Sequence, residues 1–191
     1  MWATTLYDQA VPAGQWGTVL GASLAAAVFD AHSRRIPNWL TGSLLLTGLA
    51  HAALVGGLPG LADSATACAL LALPYVVLFA LAGGGAGDAK LMGALGSWLG
   101  LVYGIATLVG VCLAGIVMAL LWAMLAGRLK AVAGSIAGLA MGVVYPLVGA
   151  GSFRDVPSYL PSVEDGQTMP YGLAIFAGVV LTGAGFLLWL P

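Results

Sequence analysis

The chain has 191 residues, 61% of them hydrophobic and only 7% charged, with a mean hydropathy of +1.02. A soluble domain carries about 25% charged residues, so this chain cannot cover a globular surface with polar groups, and its expected solvent is lipid. The net charge of −1 gives no footing for nucleic acid as a partner.

The opening stretch, MWATTLYDQAVPAGQW, has no basic n-region, so a cleaved signal peptide is not expected. A crossing helix needs about 20 apolar residues to span roughly 30 Å of hydrocarbon. The first such stretch is 11–29, closed by Asp30. The next lies between Arg35 and Asp63 and predicts a helix over 38–57. A third lies between Asp63 and Asp88 and ends in glycines near Gly83. Between Lys90 and Arg128 there are 37 uncharged residues. As one helix they would be about 55 Å long, too long for one crossing. A split around Gly100 and Gly104 gives a short fourth helix and a full fifth. Residues 131–150 are uncharged but rich in glycine and alanine and broken by Pro146. They fit a seventh helix, a re-entrant segment or an interfacial helix. The last span is 171–190.

The expectation is therefore an all-α, polytopic membrane helix bundle of about six transmembrane helices, with seven possible, forming one integral-membrane domain over residues 1–191. The 29 glycines suit close helix packing in lipid. Cys68 and Cys112 stand alone in apolar runs and fit no metal-ligand spacing. Arg34, Arg35, Lys90, Arg128 and Lys130 fall on one side if helices four and five both cross. The positive-inside rule makes that side cytoplasmic.

Asp30 and Asp88 are separated by two crossings, so both reach the same membrane face. A fourth helix of about 12 residues is only about 18 Å long, so its start is expected below the cytoplasmic surface. Gly83, Gly84, Gly85 and Gly87 would let the chain dip inward there. An ionisable residue at that depth is a functional-site candidate. Two converging carboxylates can share one proton. One can then take a proton from water while the other polarises a scissile carbonyl.

Gly85-Ala86-Gly87-Asp88-Ala89-Lys90 matches the GxGDxK motif of the type IV prepilin peptidases, which are membrane aspartic proteases. DAHSRRIPNWLT, from Asp30 to Thr41, resembles that family's first aspartate motif, and MPYGLAIFAG, from Met169 to Gly178, resembles the opening of its last helix. The three stretches come in the family's order. The resemblance implies catalytic roles for Asp30 and Asp88. It implies a prepilin substrate with a short basic leader and a hydrophobic helix, cut after the leader's terminal glycine at the cytoplasmic face of a bacterial inner membrane. Longer relatives carry a cytoplasmic insert with paired CxxC motifs. This chain has none, so no zinc or other cofactor is expected and N-methyltransferase activity is not implied. The compact form resembles the peptidases of Flp/Tad-type pilus systems, with archaeal preflagellin peptidases as the second choice.

Other polar residues fit supporting roles. Lys90 is either an interfacial anchor or a counter-charge to Asp88. Arg34 and Arg35 read as topology anchors, His32 as a solvated loop residue and His51 as a packed one. Asn38, following Pro37, reads as a helix cap. Pro170 and Gly172 read as residues that shape the backbone near the site. Glu164 and Asp165, in the polar loop 152–168, read as solvated charges. A different class of function, a non-enzymatic transporter subunit using Asp30 and Asp88 as proton or cation sites, accounts for the acids alone. It leaves Ile36-Pro37-Asn38 and Pro170-Tyr171-Gly172 unexplained. Composition and motifs leave the oligomeric state open.

Overall fold

A computed structural model describes residues 13–82, 85–125, 127 and 171–189. Among them the elements are four helices: α1 (Ala13–Ser33), α2 (Asn38–Ala82), α3 (Ala86–Leu125) and α4 (Tyr171–Trp189). The expected segments 131–150 and 152–168, together with Gly83, Gly84, Arg128, Lys130 and Pro170, lie outside the described residues. The chain divides into two compact units, one of Met1–Gly115 with Pro170–Pro191 and one of Ile116–Met169. Everything below concerns the first.

α2 and α3 are each two helices joined at a glycine. Gly57 has φ 60° and Gly100 has φ 68°, a left-handed backbone that costs a residue with a Cβ about 1–2 kcal/mol. The chain reverses direction at both. Along residues 86–99, Lys90 meets Asn38 and Ser97 meets Leu45, so this arm runs alongside residues 38–56 in the same sense. It runs against residues 58–82, since Gly93 abuts Cys68 and Gly96 abuts Ala67. Beyond Gly100 the direction reverses again, with Gly104 against Ala67 and Leu71. α4 runs antiparallel to that arm, Gly178 facing Val111 and Tyr171 facing Gly115. It is also antiparallel to α1, with Gly172 beside Asp30 and Gly183 beside Trp16. Six helical arms therefore alternate in direction.

The core is apolar and tightly filled. Leu71, Leu91, Met92, Leu95, Val111 and Ile175 are fully enclosed. Outside it the surface remains apolar, with Leu54 87% and Leu58 82% exposed. Two helices, Asn38–Ala80 and Ala86–Leu125, are long and apolar enough to cross a membrane, and only 22% and 17% of their most apolar windows are buried within the protein. A core helix of a soluble protein would be mostly buried. These are the helices of a membrane protein, with lipid completing their burial. The shorter Tyr171–Phe186 stretch is also apolar.

One expectation changes. α1 does not stop at Asp30 but continues to Ser33, because a charge ends an apolar run without breaking a helix. The split expected around Gly100 and Gly104 is found at Gly100. There the Asp63 carboxylate accepts the backbone N–H of Leu101 at 3.1 Å, satisfying a donor that the new helix start leaves open. The short arm 86–99 begins beside the start of α2. Gly87 lies beside Ile36 and Lys90 beside Asn38, level with the start of α2. Its far end, at Trp98, meets Leu44, well short of Gly57. Its shortness is thus taken up at the end away from Asp88, where Asp63 provides the cap.

Candidate active site

The two aspartates come from different elements. Asp30 sits in the last turn of α1, four residues before Arg34, whose N–H bonds to the Asp30 carbonyl at 2.9 Å. Asp88 sits in the first turn of α3. Gly85, with φ 90°, precedes that helix, and its carbonyl accepts the Ala89 N–H at 3.0 Å. The side chain of Asp88 folds back toward it, so a Cβ at Gly85 would stand 3.4 Å from Asp88 Oδ2. A negative charge in the first turn of a helix is favoured by the helix dipole.

The fold brings these residues to the same end of the bundle. Both are half-buried, and each carboxyl lies within electrostatic reach of the other. Asp30 is fixed by α4, where the Gly172 backbone N–H donates to Asp30 Oδ2 at 2.8 Å. This contact requires glycine. A Cβ at position 172 would lie 2.9 Å from Asp30 Cβ and 3.1 Å from Oδ2. One carboxyl oxygen of Asp30 is thus held by backbone from a helix 142 residues away.

Lys90 forms no ion pair with Asp88 among the described residues. Its ammonium donates to Asn38 Oδ1 at 2.9 Å. Asn38 is correspondingly not the helix cap it was expected to be. The Pro37 carbonyl accepts from Leu40 and Thr41 at 3.1 and 3.3 Å, and Asn38 opens the helix with its side chain turned to Lys90. Ile36 packs on Gly87, where a Cβ would be 3.4 Å from Ile36 Cβ. The Ile36-Pro37-Asn38 stretch therefore grips the start of α3 on both sides of Asp88.

Two tyrosines were not anticipated. Tyr75, from residues 58–82, and Tyr171, at the start of α4, meet edge to face with ring centroids 6.0 Å apart. Both lie within electrostatic reach of Asp88. Among the described residues the buried Tyr75 hydroxyl has no hydrogen-bond partner. The sequence does carry a trace of the pair, since each tyrosine follows a proline, as Pro74-Tyr75 and Pro170-Tyr171. His51 lies away from the aspartates, stacked on Trp98 at 5.2 Å and bonded to Gln15 Nε2 at 3.2 Å. Among the described residues no three His, Cys, Asp or Glu side chains converge as a metal site.

The arrangement is thus two half-buried carboxyls at one end of an apolar bundle, one of them held by a backbone N–H. Residues 18–120 match the type IV leader peptidase family. That is more than half of the chain, and it includes α1 from Thr18, both aspartates and the turn at Gly100. The chain belongs to the type IV leader peptidase family, a family of proteases. No curated protein and no solved structure gave a match.

Proposed function

We propose that this protein is an aspartic endopeptidase that removes the short basic leader of Flp-like type IV prepilins. The observation that carries the reading is the placement of Asp30 and Asp88 at one end of the bundle within electrostatic reach, with Gly172 holding Asp30. In the proposed reaction one aspartate, ionised, accepts a proton from a water whose oxygen attacks the scissile carbonyl carbon. The other, protonated, donates to the carbonyl oxygen. The resulting diol collapses, the C–N bond breaks, and the departing nitrogen takes a proton from the pair. Asp30 and Asp88 are the proposed catalytic residues. Gly85, Gly87, Pro37, Asn38, Lys90, Pro170 and Gly172 are proposed to shape the site.

The proposed location is a bacterial inner membrane with the site facing the cytoplasm. Arg34, Arg35 and Lys90 lie at the aspartate end, which supports that orientation. The six alternating arms support six crossings, two from each of α2 and α3. Because α4 returns to hold Asp30, the whole chain is proposed to work as one peptidase domain. Co-expression with a candidate prepilin, followed by N-terminal sequencing of the product, tests the reading. A new N-terminus just after the leader's glycine is expected in the wild type and not in the aspartate variants. An unprocessed prepilin would overturn it.

A further inference from the structure

The site has a side entrance that the two aspartates do not explain. α1 and α4 pack closely at Ala27 and Gly172, where a Cβ on the glycine would meet the Ala27 backbone at 3.3 Å. On the outer side of that contact they part and leave an open groove of about 400 Å³. Its walls are Leu24, Val28, Leu173 and Phe176, Ala27 and Ala31 line it as small residues, and His32 stands at its end. Leu24, Val28 and Leu173 are 48%, 59% and 40% exposed, so the groove opens sideways from the bundle.

We propose that this groove docks the apolar helix of a membrane-inserted substrate, next to the bond to be cut. The proposal rests on the leader-peptidase reading above and adds where the substrate lies. Three observations favour this occupant. The groove adjoins the aspartate site, since only the Ala27–Gly172 contact separates it from Asp30. It runs along α1 from Leu24 to His32, about 12 Å at the usual helical rise, so it accommodates about two turns of a partner helix leading toward the Asp30 end. Ala31, small and exposed in the groove, leaves room for a second helix to approach closely in lipid. A substrate seated there leaves its non-helical leader free at the aspartate end, where a peptide bond can reach the carboxyls.

The test uses the full-length protein in proteoliposomes and two synthetic substrates. One has a short basic leader ending in glycine, followed by an apolar helix of about 20 residues. The other is truncated just after the scissile bond. Ala31→Trp and Val28→Trp fill the groove and should raise KM for the helix-bearing substrate by about tenfold more than for the truncated one. Leu54→Trp, on an exposed face of α2, should leave the ratio unchanged. In parallel, a photocrosslinking residue at Val28 or Leu173, in an Asp88→Asn background, should capture the helix-bearing substrate. An unchanged KM ratio, or crosslinks only to lipid or to a second copy of the chain, would overturn the proposal. If the wild type cleaves neither substrate, the peptidase reading fails, and the crosslink still decides whether the groove binds the helix.

Discussion

Asp63 and Asp30 do the same thing at opposite ends of the bundle, and the comparison separates scaffold from site. Each carboxylate accepts a backbone N–H from the start of another helical arm, Asp63 from Leu101 at 3.1 Å and Asp30 from Gly172 at 2.8 Å. Asp63 is exposed and caps a helix, a role complete in itself. Asp30 is half-buried and has a second carboxyl, Asp88, within electrostatic reach. A backbone bond to an aspartate is therefore no mark of chemistry. The proposed dyad rests on the second carboxyl.

The sharpest break in the comparison is isosteric removal of charge. Asp30→Asn and Asp88→Asn should each lower prepilin cleavage by a factor of at least about 10²–10⁴, the usual contribution of a positioned acid or base, while the protein still inserts and folds. Asp63→Asn keeps a capping oxygen and should cleave as the wild type does. An N-terminal sequencing assay on all three reads this directly. Near-normal turnover in either of the first two variants would remove the dyad.

The next largest effect leaves both carboxyls in place. Gly172→Ala puts a Cβ 2.9 Å from Asp30 Cβ, closer than such atoms pack. Either Asp30 or the start of α4 must shift. A displacement of about 1 Å can cost about 10²-fold in rate, and a loss of that order is expected. Gly185→Ala in the same helix, with nothing within 4 Å of the new methyl, should be silent. Equal activity in the two variants would show that the Gly172 contact does not set the position of Asp30.

What the sequence made legible follows from what kind of interaction was involved. The reversals at Gly57 and Gly100 could be located because a crossing length and a glycine coincide there. The common end for Asp30 and Asp88 followed from counting crossings between them. The partner of each polar group could not be read the same way. Asn38 looks like a cap by its position after Pro37, yet Lys90, 52 residues on, takes its side-chain oxygen. Gly172 could be named as a shaping residue, but not as the donor to Asp30. At the Gly100 turn the freed N–H of Leu101 is taken by Asp63, 38 residues before Leu101. Such choices are made by tertiary packing, which apolar run length does not encode.

A milder change probes the scaffold half of the comparison. Asp63→Ala removes the acceptor for Leu101 N–H and should lower stability by about 0.5–2 kcal/mol, the typical loss of a helix cap. Thermal unfolding in detergent would register it, with cleavage at permissive temperature unchanged. A specific loss of activity at full stability would instead connect the Gly100 turn to the site.

The smallest effect is expected at Lys90, and it distinguishes two ways of serving Asp88. As a counter-charge, Lys90 would act on the carboxyl through space, whatever occupies position 38. As a positioning residue, it acts through Asn38, holding the stretch whose Ile36 packs on Gly87 beside Asp88. The 2.9 Å bond from Lys90 to Asn38 Oδ1 favours the second. Both partners are exposed, so the bond should contribute no more than about 0.5–1.5 kcal/mol, a factor of roughly 2 to 12 in rate. Lys90→Met and Asn38→Ala should each slow cleavage within that range. The double variant should be no worse than the poorer single one, because both remove the same bond. Lys90→Arg, which still presents N–H donors, should recover part of the loss. If the effects of Lys90→Met and Asn38→Ala simply multiply, the two residues do not act through each other, and Lys90 serves Asp88 by its charge.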